Sequence, residues 1–174
     1  VNEIGKERTA VRFSPFGTVL MPLDKNPVAL FTYVLKEVEK RGLAYVSLTQ
    51  PRADLFLSES VKLALIQSKM EDGSVSLRKE EISLKPFTSI LRTTPVIATG
   101  GYNAKNCFEE VEKGELDAVS FGKYFISNPD LVDRLRSGWP LSPYDPSTFY
   151  AVGKKGYTDH PSIAEAESRG LVWS

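Results

Sequence analysis

The sequence predicts an α/β fold with parallel strands, and two observations carry that expectation. Four short apolar, β-branched or aromatic runs recur at 10–14, 44–48, 95–99 and 118–121, each with the pattern of a buried strand. Between them lie segments of helical period, so the elements alternate as βαβαβαβα. Such alternation implies parallel strands joined by right-handed helical crossovers, hence an α/β barrel or a doubly wound sheet. With 174 residues, 41% of them hydrophobic, the chain can bury one sizeable core, as a single domain or part of one.

The elements follow in order. The chain begins with Val1 rather than Met, and 2–6 read as the tail of a preceding helix with Gly5 as its stop, a hint of sequence upstream. The clearest helix starts at Asn26 as N-cap with Pro27 in its first turn; Leu30, Phe31, Val34, Leu35 and Val38 form its apolar stripe, and Gly42 ends it. A second helix is expected over 83–91, with Leu84, Phe87, Ile90 and Leu91 inward and Pro86 tolerated in the first turn. A third, capped by Asn103, puts Cys107, Phe108 and Val111 inside and closes at Gly114; a fourth opens at Pro129, carries Leu131, Val132 and Leu135, and ends at Gly138.

This gives one partial domain over 1–174, with four β/α units over 10–138 and a tail over 139–174. The stretch 52–82 is far longer than most strand-to-helix connections. It lies at the C-terminal end of a strand, the face on which α/β barrels carry their active sites, and reads as a lid or substrate loop, the alternative being a disordered excursion. Within it, 61–66 suits a short strand or a helix.

Composition excludes several classes of partner. The 22 Lys and Arg balance 22 Asp and Glu, so no long-range field favours nucleic acid or an anionic membrane. One cysteine, Cys107, forms no internal disulfide, and with one histidine, His160, there is no His- or Cys-based metal cluster. That cysteine usage fits a reducing, cytoplasmic setting, and with no apolar run of about 18 residues or signal-peptide core the chain is expected to be soluble and unexported.

Two strand ends carry candidate chemistry. After the third strand comes Thr99-Gly100-Gly101-Tyr102-Asn103, and after the fourth Phe121-Gly122-Lys123. Glycines at a strand end let the backbone approach a ligand closely, and a following helix N-terminus offers free N–H groups, the parts of a phosphate cradle. In (β/α)8 barrels such a site is frequently built after strands seven and eight, where these loops fall if the four strands are the last four. A glycine pair is also often just a tight turn. Arg12, the only charge in its strand, needs an anionic or hydrogen-bonding partner, either internal, such as the carboxylate of Asp117 or Glu37, or a bound ligand. In the tail, Phe149 and Tyr150 read as hydrophobic plugs or pocket aromatics.

The run 121–135, Phe-Gly-Lys-Tyr-Phe-Ile-Ser-Asn-Pro-Asp-Leu-Val-Asp-Arg-Leu, resembles the end of the barrel in the Old Yellow Enzyme family, as do Pro140-Leu141 and Thr148-Phe149-Tyr150. Val11-Arg12-Phe13-Ser14-Pro15-Phe16-Gly17 is similar to that family's fifth strand, Gln50-Pro51-Arg52 to the end of its sixth, and 95–101 to its seventh with the flavin-phosphate loop. The resemblance spans roughly 10–170 and implies the C-terminal half, strands five to eight, of a (β/α)8 TIM barrel.

Position by position, the resemblance implies that Arg12 meets the pyrimidine edge of FMN. Gly100, Gly101 and Gly122 offer backbone to its phosphate, Lys123 stands where the family has an arginine, Phe149 lies near the flavin, and Tyr150 and Phe56 belong to the substrate pocket. It implies an NADPH-dependent flavin oxidoreductase that reduces activated alkenes such as enones, with NADPH giving hydride to FMN and FMN to the substrate β-carbon. The family's substrate clamp, a His-Asn or His-His pair, and its tyrosine proton donor come from the first half of the barrel. No catalytic residue is therefore assigned here, and the chain is expected to be inactive by itself, with Tyr102 and Tyr150 the remaining tyrosine donors considered. The rival expectations are a non-catalytic half-barrel that associates with itself or with a separate N-terminal half, through open edges and an apolar inner face, and a phosphate-ligand module of doubly wound type.

Overall fold

The computed structural model describes residues 1–18, 22–54 and 56–170. They divide into two compact units, Val1–Tyr102 with Cys107–Ser120, and Asn103–Asn106 with Phe121–Ser174.

The first unit holds one parallel sheet of four strands, β1 (Ala10–Phe13), β2 (Tyr45–Thr49), β3 (Val96–Thr99) and β4 (Ala118–Ser120), paired in sequential order. Sequential order is the winding of a barrel, whereas a doubly wound sheet reverses at a switch point. The doubly wound alternative is thereby set aside. Because all four strands are parallel, their C-terminal ends share one edge.

The strands are not buried on both faces. Phe13, Leu48, Ala98 and Val119 share one register row, and Val46 and Val96 lie on the same face of the sheet. That face carries the core: Val46, Leu48, Val96 and Ala98 are buried, and Phe13 packs edge-on against Phe31, which packs against Phe87. Each large apolar side chain taken out of water there contributes about 1.5–3 kcal/mol. The opposite face carries Arg12, Ser47, Thr49, Thr99 and Ser120, with only Ile97, Tyr45 and small residues between. The apolar inner face expected for self-association is therefore corrected to a largely polar one.

Helix α1 (Pro27–Glu39) forms as its sequence predicts. The Asn26 side chain accepts from the Ala29 N–H, Pro27 occupies the first turn, and Leu35 and Val38 are buried. Gly42 then turns at φ 57°. At the end of α1 the Glu39 carboxylate accepts from the N–H groups of Arg92, Thr93 and Thr94 and from the Thr93 hydroxyl, at 2.8–3.2 Å, tying the helix to the entry of β3. Partial burial works against the charged form, yet the hydrogen bonds from Thr94 and Thr93 win and hold its pKa at about 2.

This clamp sets a pH dependence. A carboxylate with a depressed folded pKa stabilises fully above its unfolded value of about 4.3 and loses that contribution as pH falls toward about 2. Glu39→Gln is expected to cost about 1–2 kcal/mol at neutral pH. Urea unfolding between pH 2 and 7 should show a shallower loss of stability toward acid in the variant, and an unchanged acid limb would remove Glu39 from this role.

The long stretch 52–82 is structured where described, Leu55 lying outside the described residues. Its centre is a helix, α2 (Glu59–Glu71), capped by Ser58, which resolves 61–66 as helical. Ile66 and Lys62 are its buried residues; the Lys62 ammonium donates to the Ala53 carbonyl and lies 3.9 Å from the Asp54 carboxylate. Thr18 also donates to Asp54, at 3.1 Å.

Two expected helices are shorter than predicted. The second is α3 (Lys85–Thr88), although Leu84, Phe87 and Leu91 are buried as expected. The third is α4 (Glu109–Glu112); Asn103 does not cap it, and Phe108, expected inside, is 50% exposed.

The second unit contains α5 (Lys123–Ser127), which the sequence pattern does not single out, α6 (Leu131–Ser137), and, within the tail, α7 (Ile163–Ser168). Gly138 ends α6 at φ 67° as expected, but Val132, placed on its apolar side, is 52% exposed. Arg134 is fully buried and donates to Asp130 at 2.6 Å, to the Pro140 carbonyl at 3.0 Å and to the Ser142 hydroxyl at 3.2 Å. Asn128 donates to the carbonyls of Tyr124 and Ser142 and accepts from the Ser142 N–H at 2.7 Å. The Ser-Asn-Pro-Asp motif thus fastens the tail onto α5 and α6. The last residues of that tail, 171–174, lie outside the described residues.

Candidate flavin site

The site is built from the C-terminal ends of the strands. Gln50 follows β2, and its N–H donates to the Thr99 carbonyl at the end of β3, 2.9 Å away. This bond extends the β2–β3 ladder by one step and sets Gln50-Pro51-Arg52 beside Gly100-Gly101-Tyr102.

Gly100 and Gly101 turn at φ 95° and 71°, conformations that L side chains rarely adopt. Space excludes a side chain as well. A Cβ at Gly100 would overlap the Ala53 methyl, and one at Gly101 would lie 2.5 Å from Arg52 Nε. The helix N-terminus expected directly after this pair is absent, since 104–108 forms turns and α4 begins only at Glu109. Asn103 accepts from the Lys105 N–H instead, and its own N–H donates to the Asn106 side chain.

Tyr102 anchors the loop. Its ring and hydroxyl are buried; the hydroxyl donates to the Glu110 carboxylate at 2.5 Å and accepts from Gln50 Nε2 at 2.7 Å. Burial first, and the Glu110 carboxylate second, push the phenol well above its ordinary pKa. Tyr102 is therefore corrected from a candidate proton donor to a structural anchor. The Arg52 guanidinium lies 5.2 Å from the centre of the Tyr102 ring, and its buried Nε has no hydrogen-bond partner. A cavity of about 240 Å³ is lined by Arg52, Glu59, Leu63, Lys85 and Glu115, among others. Lys85 and Glu115 pair there at 3.6 Å.

Arg12 stands on the polar face of the sheet, with its guanidinium 3.4 Å from the Thr49 hydroxyl. Neither internal partner expected for it takes it: Asp117 accepts from the Val96 N–H, and Glu37 pairs with Lys40 and Arg41. Arg12 instead donates to Thr49, on the polar face of the sheet.

In the second unit, Lys123 opens α5 with its ammonium 5.6 Å from the centre of the Tyr144 ring. Tyr144 also packs on Tyr124 and on Phe149, at 5.1 and 5.8 Å. Gly122 has φ −107°, and the space a Cβ would take there is open, so its own conformation does not demand glycine. Tyr150 is 76% exposed at φ 59°, its N–H donating to the Tyr157 hydroxyl, which does not suit a hydrophobic plug. Phe56, in the first unit, is 74% exposed. Among the described residues no group of three His, Cys, Asp or Glu side chains could hold a metal.

The family model for NADH:flavin oxidoreductase / NADH oxidase matches residues 1–142. The chain belongs to that family. It is 37% identical over 164 residues to a flavin oxidoreductase, hxnT, of Emericella nidulans, covering 91% of this chain and 41% of that protein. It is 34% identical over 169 residues to 12-oxophytodienoate reductase 1 of Oryza sativa, covering 96% and 40%. The chain thus spans about two fifths of the length of these curated relatives.

Among solved structures it is similar to the old yellow enzyme of Trypanosoma cruzi, with a TM-score of 0.69 and 27% identity over 93% of this chain and 37% of that one. It is also similar to morphinone reductase in complex with tetrahydroNAD, with a TM-score of 0.65 and 30% identity over 91% and 37%. The four parallel strands with their helices are therefore half of an Old Yellow Enzyme barrel.

Family membership implies FMN, and the residues of the first unit fit its phosphate. Two left-handed glycines whose side-chain space is filled, with a buried arginine Nε without an acceptor beside them, are features that an anion would suit. Sequence pattern singles out the glycines but gives no role to Arg52 or Glu110. The signal for both is the sequential strand order, which places the residues after β2 beside those after β3.

Proposed function

We propose that this chain supplies the phosphate loop and the flavin-edge cation of an FMN-dependent oxidoreductase that reduces activated C=C bonds. NADPH is the proposed hydride donor and enones the proposed substrate class. Bound FMN supplies the hydride chemistry; the chain's own residues bind and orient it. The observation that carries this reading is the Gly100–Gly101 turn, where backbone geometry, steric exclusion of a side chain and a buried Nε without an acceptor coincide. The names of the relatives agree with it, since they include an enoate reductase of Kluyveromyces lactis at 35% identity, covering 41% of that protein.

In this reading Gly100 and Gly101 present their backbone to the phosphate, and Arg12 faces the pyrimidine edge, where a cation favours the negative charge of the reduced ring. Gly122 and Lys123 are proposed phosphate contacts and Phe149 a flavin neighbour on sequence grounds. Tyr150 and Phe56 are proposed for the substrate pocket. That proposal too rests on sequence grounds, both side chains being exposed.

Lys123 provides the test. Lys123→Arg keeps the charge and adds a bidentate fork, so FMN affinity is expected to hold or tighten. Lys123→Glu places a like charge toward the dianion, and FMN is expected to bind about 100-fold more weakly, roughly 3 kcal/mol. Fluorescence titration of FMN reads both, and equal affinity in all three proteins would remove Lys123 from the site.

A second reading rests on the sheet edges, because β1 and β4 each have one paired neighbour among the described strands. Association with a complementary half-barrel would cover them. Solution mass with and without such a partner tests it, and a monomer indifferent to the partner would exclude it.

A further inference from the structure

We propose that Arg52 is a positioning residue for the flavin phosphate loop, a proposal that rests on the FMN reading of Gly100–Gly101. The loop is pinned at both ends. At its start the Gln50 N–H holds the Thr99 carbonyl, and at its end Gln50 Nε2 and Glu110 hold the Tyr102 hydroxyl. Arg52 fills the space between. Its Nε, Cδ and Cγ would all lie within 2.5–2.9 Å of a Cβ at Gly101, so the glycine backbone rests directly on the arginine stem. Its guanidinium in turn lies 5.2 Å from the centre of the Tyr102 ring, whose hydroxyl Glu110 and Gln50 immobilise.

The physical consequence follows from what glycine permits. Two adjacent glycines have many accessible conformations, and a loop that must aim its N–H groups at a phosphate needs those conformations restricted beforehand. A planar side chain wedged under the bend restricts them, and its charge, always present, favours an anion bound above. The buried Nε without an acceptor keeps one donor of this arginine uncommitted within the chain. Lysine in its place would keep the charge but lose the planar group that packs on Tyr102. Methionine would keep most of the bulk and lose the charge.

The experiment compares FMN with riboflavin, which lacks the phosphate, on the wild-type chain and on Arg52→Lys and Arg52→Met. Arg52→Met is expected to weaken FMN at least tenfold while changing riboflavin less than twofold, and Arg52→Lys to fall between. Amide exchange at Gly101 is expected to speed up in Arg52→Met. A merely structural role would weaken both flavins by the same factor, and that result overturns the proposal, as does unchanged FMN binding in Arg52→Met. Should Arg52→Met not fold, Arg52→Lys reads the same ratio, and a wild-type ratio there overturns it. If the wild-type chain itself shows no preference for FMN over riboflavin, the flavin reading fails and the proposal falls with it, an outcome distinct from a preference that survives in the variants.

Discussion

Gly100→Ala is expected to remove measurable FMN binding and to destabilise the first unit by about 3 kcal/mol, the sum of two penalties of order 1–3 kcal/mol each. One is the left-handed backbone at φ 95°, which an alanine adopts only under strain. The other is overlap with the Ala53 methyl, a group without a flexible end to swing aside, whose own N–H is held by the Gln50 carbonyl at 3.0 Å. To relieve the overlap the loop must move, and moving it displaces the N–H groups proposed for the phosphate. Ala53→Gly in the same chain should recover part of the stability, since it removes the overlap and leaves the backbone strain. Urea midpoints of the single and double variants, with FMN titrations beside them, read both effects. Wild-type stability in Gly100→Ala would show that this turn is not the constrained element described.

The second large effect is on turnover. The 174-residue chain supplied with FMN and NADPH is expected to reduce cyclohexenone no faster than free FMN does. Holding two reacting groups in register contributes roughly 7–11 kcal/mol to such a reaction. Neither tyrosine considered as a proton donor is set up for such positioning. Tyr102 is locked under Glu110 with its acidity lowered, so it is a poor acid at neutral pH. Tyr150 is exposed, and its N–H is bound to Tyr157 rather than organised around a pocket. Adding a separately expressed half-barrel of a relative should restore turnover if the surfaces match. Anaerobic flavin reoxidation measures it, and robust turnover by the lone chain would place the clamp and proton donor within these residues.

The parts of the fold that are legible in the sequence are those set by local chemistry. Asn26, Pro27 and Gly42 bound α1 because a side-chain acceptor, a fixed φ and a left-handed stop act within a few residues. The alternation of elements makes the strands parallel but leaves their order open between a barrel and a doubly wound sheet, and the sequential order matches the barrel winding that the family resemblance implies. The shortened helices show where local pattern runs out. Over 83–91 the apolar stripe is largely buried, but beyond Thr88 the Ile90 and Leu91 N–H groups bond three residues back, so the segment continues as tight turns. At Asn103 the side chain bonds to Lys105, and that local turn displaces the helix start to Glu109.

The site is legible in the same uneven way. Gly100, Gly101 and Arg12 stand out because glycine pairs and a lone strand charge are anomalies within their own segments. Gln50, Arg52 and Glu110 do not, because their significance depends on the cross-strand step that brings 50–52 against 100–102. The polar face of the sheet is hidden for a related reason. Ser47 and Thr49 in β2 and Thr99 at the end of β3 are small polar residues within apolar runs, and only the register with Arg12 shows that they share one surface.

If the Gly100–Gly101 turn holds a flavin phosphate, amide chemical shifts during titration of the ¹⁵N-labelled chain will report it at those two residues. FMN is expected to move the Gly100 and Gly101 signals the furthest in the first unit, and to do so at concentrations where riboflavin leaves them in place. Shifts at those glycines that are the same for riboflavin, or FMN-induced shifts that bypass them altogether, would show that the phosphate binds elsewhere or not at all.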